Sequence, residues 1–391
     1  MTDSRVSCAV GASTDADLEA ALGSASAAAH AGLGGPADLA VAFVAGGFDA
    51  PLRPALEGLS DALGVPHVIA ATAEGVIADD REHEAGPAVV VWLARLPNAT
   101  IVPLSLEEAQ SVDGGAFLGW PEALEGEWPA DATLLLLADP FSFNVDRLMR
   151  RLEEDHPGVP VLGGFASGGT RPGDNTLVAG PASYDAGAVG VVIGGAPIRP
   201  IVSQGCRPIG PPLVVTKAEE NLIVELGGRP ALARLREIYG DLDAATQQLV
   251  RTSLHVGRAA SEYQDHRQPG NFLVRNVVGA DPEMGVLAIG DAVRTGQTMQ
   301  FHVRDAESAH DDLAALLAAR DGMTPAGALL FTCNGRGTRL FGAPHHDAAC
   351  LRDVLGPLPS AGFFAQGEFG PIGRRNCIHG FTASIALFEQ R

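Results

Sequence analysis

The chain has 391 residues, 46% of them hydrophobic and 19% charged, which excludes a disordered or fibrous polypeptide and is enough for two or three packed domains. Its formal net charge of −20, from 27 basic against 47 acidic residues, makes it a poor partner for phosphate backbones and anionic membrane surfaces. No secretory signal opens it, no apolar run approaches the roughly 18 residues needed to cross a bilayer, and its five cysteines have no CxxC spacing. A reduced cytoplasmic protein without membrane or nucleic-acid partners is therefore expected.

In chain order, Leu39–Ala45 is an apolar run of strand length, followed by Gly46-Gly47. A helix from Pro54 puts Leu56, Leu59 and Leu63 on one face and stops at Gly64. Pro66 then precedes Val68–Gly75, and Ala88–Leu93 closes the unit. The same order returns: strand Leu134–Leu137, Asn144 as N-cap, helix Val145–Asp155, Pro160, the segment Val161–Gly169, and closing strand Ala188–Ile193. It returns again as strand Ala328–Phe331, the break Cys333-Asn334-Gly335, helix Asp347–Leu355, Pro359, Ser360–Glu368, and closing strand Phe381–Phe388. Pro160 aligns with Pro359, Gly163 with Gly362, and Phe165 with Phe364. Each unit reads as β-α-β-β.

Ile198–Pro212, rich in Gly and Pro, reads as a linker, giving domains 1–200 and 201–391. Beyond it come short strands at Leu213–Val215 and Ile223–Leu226, and helices at Pro230–Tyr239 and Thr246–His255. A three-strand meander follows (Phe272–Val278, Val286–Ile289, Thr298–Val303), then helix Ala306–Ala319 capped by Asp305. The pattern implies an α/β (α+β) protein in two parts, with mixed sheets covered by helices. Two sheets face to face under outer helices, an αββα layering, fit it, and so does one large sheet per half.

These residues resemble the FIST family, the two-part module named for F-box and intracellular signal transduction proteins. The N-terminal part is suggested by Thr72-Ala73-Glu74-Gly75 and Leu162-Gly163-Gly164-Phe165-Ala166-Ser167-Gly168, and the joining segment by Gly205-Cys206-Arg207-Pro208-Ile209-Gly210. The C-terminal part is suggested by Leu273-Val274-Arg275-Asn276, Phe331-Thr332-Cys333-Asn334-Gly335-Arg336-Gly337, Gly362-Phe363-Phe364-Ala365-Gln366-Gly367-Glu368 and His379-Gly380-Phe381-Thr382. The resemblance implies a stand-alone bacterial sensory module for a small metabolite such as an amino acid, signalling through a separate partner. One branch of the family binds haem.

Three constellations could form a ligand site. Gly163, Gly164, Ser167 and Gly168 would expose backbone N–H groups to an anion if they form a turn. Cys333, Arg336, Gln366 and Glu368 lie after strands that the repeat makes neighbours; Arg336 could clamp a ligand carboxylate and Glu368 hold an ammonium group. Arg275, Asn276 and Gln300 interrupt apolar strands and could line a pocket between the halves. A binding protein without resident cofactor or metal is favoured over an enzyme. The alternatives are a hydrolase with Cys333 as nucleophile and His379 as base, and a haem gas sensor using His67, His255, His302 or His379. Glu82-His83-Glu84 and His345-His346-Asp347 read as solvated loops, because neighbouring side chains point apart.

Overall fold

The computed structural model describes residues 5–109, 115–260, 262, 272–319 and 322–390. The first four residues, part of the segment read for a leader, lie outside them. Two compact units emerge. The first comprises the chain up to Val202, Leu313–Ile378 and the chain from Thr382; the second is Ser203–Asp312 with His379–Phe381. The family of apolar runs at residues 39, 134 and 328 thus falls in one unit.

Within the first unit each apolar run is a strand buried on both faces. In Leu39–Ala45, Leu39, Val41, Phe43 and Ala45 point into one apolar cluster, and Ala40, Ala42 and Val44 into another. Leu135 and Leu137 of Thr133–Ala138, and Leu329 and Phe331 of Pro325–Cys333, enter the same first cluster. Side chains alternate across a strand, so a continuous apolar run is what a sheet covered on both sides demands. The shared cluster holds Phe43, Phe331 and Phe363 with ring centroids 4.9–6.3 Å apart. Each sheet's other face carries helices: Leu18–Leu33 and two short helices on the first, Val145–Asp155 on the second, Ala306–Ala318 and His346–Leu355 on the third. Neither layering inferred above is adopted: three sheets share one core, with helices outside.

The repeats are longer than the sequence pattern indicates. Each has an edge strand (Ser7–Ser13, Thr100–Ala109, Ile198–Gln204), a lead strand, a helical stretch, and a second strand (His67–Ala73, Val161–Phe165, Ser360–Ala365) parallel to the lead. A short hairpin and a closing strand antiparallel to the lead complete it. The hairpin is exchanged. That of the first repeat, Val76–Ala78 with Arg81–His83, pairs with the second strand of the third. That of the second, Leu177–Ala179 with Ala182–Tyr184, pairs with the first. That of the third, starting at Glu368–Ile372, pairs with the second. All three sheets therefore share one strand order: edge, closing, lead, second, borrowed hairpin.

The second unit is inserted in the third repeat. Its six main strands close on themselves: Cys206–Glu219, Thr298–Arg304, Leu254–Ala259, Phe272–Asp281, Val286–Ile289, Leu222–Leu226 and back, every pair antiparallel. This small barrel is filled by Ile209, Val215, Ile223, Val256, Leu287, Met299 and Phe301, with helices Ala231–Asp241 and Ala244–Ser253 against it. Two readings are corrected. Ile198–Pro212 is strand on either side of Gly205 rather than linker, with Gly210, Pro211 and Pro212 absorbed by a register shift between Ile209 and Leu213. Thr298–Arg304 does not extend a meander from Val286–Ile289; it pairs instead with Leu254–Ala259 and Cys206–Glu219.

Candidate functional site

The lead and second strands of each repeat run parallel, so their carboxyl ends lie side by side, the edge at which parallel sheets commonly build ligand sites. Hydrogen bonds tie these ends across repeats. Phe364 N donates to the Gly75 carbonyl, Phe165 N to Gly367, and Ser167 N to Thr72. Ser167 Oγ donates to the Phe364 carbonyl and accepts from Glu74 N at 2.9 Å.

The expected glycine turn takes a different form. Gly163 and Gly164 are inside the second strand, paired with Leu136 and Leu137 on one side and Phe369 and Glu368 on the other. Gly163 has φ 143°, and a Cβ there would lie 1.8 Å from the Leu136 carbonyl oxygen. Gly168 is a close approach to Thr72. The N–H groups of Phe165, Ala166, Ser167 and Gly169 donate to Gly367, Ala138, Thr72 and Asn175 Oδ1. These glycines thus serve packing, and those donors are spent within the protein.

Cys333 ends the third lead strand, in register with Ala365. Asn334 N donates to the Ala365 carbonyl and Arg336 N to the Cys333 carbonyl, which turns Arg336 inward. The convergence of Cys333, Arg336 and Glu368 expected from the repeat is present, with Gln366 exposed beside it. Arg336 is fully buried, and its Nε and Nη2 grip Asp347 at 2.6 and 2.8 Å. Its carboxylate-clamping face is therefore closed on a carboxylate of the protein itself. Thr332 Oγ1 adds a bond to Asp347 at 2.7 Å, and His346 Nδ1 lies 3.0 Å from it. Burial would raise the Asp347 pKa, but the Arg336 charge and these bonds hold it well below the ordinary carboxylate value.

Glu368, also fully buried, is in the opposite condition. Its Oε2 accepts from Thr382 Oγ1 at 2.6 Å and Thr382 N at 3.2 Å, Oε1 has no nitrogen or oxygen partner among the described residues, and the Cys333 thiol also bonds this carboxyl. Burial pushes its pKa up to about 8, against smaller offsets from Thr382, the Arg336 charge and the Cys333 thiol. Burial thus favours its neutral form.

Asp347 and Glu82 are buried, not solvated as their sequence context suggests. Glu82 comes from the exchanged hairpin of the first repeat. Its Oε1 accepts from Asp347 N at 2.9 Å and Ala348 N at 3.1 Å, capping helix His346–Leu355. Burial, then the Asp347 charge, raise its pKa to about 7. Glu84 of the same hairpin accepts from Thr338 N and Oγ1. Glu82, Asp347 and Thr382 stand in stretches that the sequence singles out, but nothing local gives their roles, and Glu82 reaches Asp347 across 265 residues.

The remaining predicted residues lie in the second unit. Arg275 Nε donates to Asp291 at 3.1 Å, shared with Arg258, and Gln300 Nε2 donates to the Gly210 carbonyl at 2.6 Å. The Asn276 carbonyl accepts from Gly290 N. His379 belongs to this unit, Cys333 to the first. Of the histidines offered to haem, His302 is wedged against Gly257 and Phe272, and His255 packs edge-on to Phe381. Each has Nδ1 against a backbone carbonyl. No helix among the described residues is long and apolar enough to cross a membrane.

Residues 38–229 match the FIST N domain and 231–371 the FIST C domain. The uncharacterized protein Rv0628c of Mycobacterium tuberculosis is 42% identical over 97% of this chain and 98% of its own length. The uncharacterized protein Mb0898c of Mycobacterium bovis is 44% identical over 83% of each. Matched by both domains over most of its length, the chain belongs to the FIST family, whose domains are associated with signal transduction and sensory roles.

Proposed function

We propose that the chain binds a small metabolite bearing an ammonium group where the strand ends of the first unit converge, and reports its binding state to a separate signalling partner. The observation that carries this reading is Glu368 Oε1, a fully buried carboxyl oxygen with no nitrogen or oxygen hydrogen-bond partner among the described residues, next to the Cys333 thiol and the exposed Gln366. A buried polar atom left unsatisfied costs stability, and a ligand donor would recover it. The Arg336–Asp347 pair is neutral as a unit, so Glu368 is the ionisable acid available to a cation. An ammonium group arriving there favours the carboxylate and expels its proton.

Calorimetric titration with L-amino acids and simple amines, in two buffers of different ionisation heat near neutral pH, tests this. At least one ammonium compound binds the wild-type protein with release of a proton, and Glu368→Gln loses both binding and proton release. A wild-type protein that binds none of them, or unchanged proton release in the variant, defeats the reading.

A further inference from the structure

Between the edge and lead strands of the second repeat, a strand at Ala116–Leu118 and a turn at Glu122–Leu124 lie near helix Val145–Asp155. They border an open cavity of about 940 Å³. Its apolar walls combine Phe117, Trp120 and Trp128 with Leu124 and Leu152. Trp120 and Trp128 meet at 56° with ring centroids 6.1 Å apart, forming a corner, and Trp128 stacks on His156 at 4.2 Å. Both tryptophans are partly exposed, whereas the third, Trp92, is fully buried.

The charges around this corner are not balanced. Arg147 is taken by Glu108 at 2.9 Å and the Gly115 carbonyl, and Arg151 by Asp155 at 2.6 Å. Arg150 donates to the Asp146 carbonyl and stands one helical turn before Glu154. Glu125 and Glu154, both lining the cavity, have no ion-pair partner among the described residues. Beyond the acid that Arg150 can screen, one carboxylate remains in surplus. The faces of aromatic rings carry negative potential, and with an acid at the rim they recognise organic cations. The −20 charge of the chain raises the local concentration of such cations.

We propose that this cavity binds a small organic ammonium cation, seated against the faces of Trp120 and Trp128 with Glu125 at its rim. The site is separate from Glu368: in the second repeat's sheet Glu368–Ile372 and Ala116–Leu118 lie toward opposite ends of the strand order.

Tryptophan fluorescence reads it directly, because Trp120 and Trp128 line the cavity and Trp92 is buried. Choline chloride is the probe, 3,3-dimethylbutanol its neutral isostere, and benzoate the anionic control. Choline changes the emission saturably and the other two do not. Trp128→Leu weakens choline at least about fivefold. Glu125→Gln, an exposed change that leaves packing intact, weakens it less, and Glu368→Gln leaves it unaltered. No saturable response to choline, an equal response to the neutral isostere, or saturation by benzoate overturns the proposal. Loss of choline binding in Glu368→Gln alone would also overturn it, by placing the cation at the other site.

Discussion

Arg336 and Asp347 are a fully buried ion pair, and each exists at the expense of its hydration. Asp347→Ala strands a guanidinium in the core and should cost about 3–5 kcal/mol in chemical denaturation, whereas Arg336→Met with Asp347→Leu should recover much of that. The buried acids give a pH signature of opposite sign. Glu82 and Glu368 have folded pKa values raised to about 7 and about 8 from 4.5, so the folded state holds protons that the unfolded chain has released. Their contribution to stability is complete below 4.5 and is lost as pH rises through 7 and 8. Asp347, with its pKa depressed, contributes above 3.8 and loses its share in acid. Glu82→Gln with Glu368→Gln should therefore flatten the fall in melting temperature between pH 5 and 9; an unchanged slope would show that these acids titrate normally. The grouping of Cys333, Arg336 and Glu368 was legible because aligned repeats put their strand ends side by side. The partner of Arg336 was not, since Asp347 lies on the far side of a short helix and its burial depends on Glu82 from another repeat.

Two glycines show how tightly neighbouring strands are set. Gly163 and Gly362 hold register-equivalent positions, and a Cβ at either would meet the lead-strand carbonyl of Leu136 or Leu330 within 2 Å. Each should cost about 1–3 kcal/mol as alanine. Gly240, in the barrel helix Ala231–Asp241, has nothing within 4 Å of a built Cβ, so Gly240→Ala should stabilise by about 0.5–1 kcal/mol. Thermal unfolding of the three variants separates the cases. Glu82→Ala tests the other cross-repeat joint: loss of its cap on helix His346–Leu355 should cost about 1–2 kcal/mol. The lead strands and helix Val145–Asp155 were plain in the sequence, the former as two-sided apolar runs and the latter from Asn144 and its stripe of Leu148, Met149 and Leu152. The hairpins were not. Strands as short as Val76–Ala78 carry no periodicity, and their pairing partners lie in another repeat.

Across the first unit, the closing strands at Ala88–Arg95 and Ala188–Gly194 lead through a few residues to the edge strand of the next repeat. The closing strand of the third, Thr382–Glu389, comes near the edge strand Ser7–Ser13 of the first, since Gly327, in register with Phe388, lies against Cys8. A linker of a few residues from Gln390 to Val6, with new ends opened in the surface turn at Asn98, should give a circular permutant that folds. Failure of that permutant to show the parent's cooperative unfolding would deny the cyclic relation. The threefold repetition was readable from recurring prolines and glycines, but the barrel's closure was not, because Cys206–Glu219 is bent by a bulge that reads as a linker.

The exchanged hairpins also bear on how the molecule is made. A ribosome releases Val76–His83 long before Ser360–Ala365 exists, so the first repeat leaves the exit tunnel with a hairpin that has nowhere to dock and a second strand awaiting its neighbour. No repeat can be finished from its own residues. The first sheet has all its strands once Tyr184 is made, but the second waits for Glu368–Ile372 and Arg375–His379 and the third for Thr382–Glu389, so the nascent chain must carry exposed strand edges through most of its synthesis.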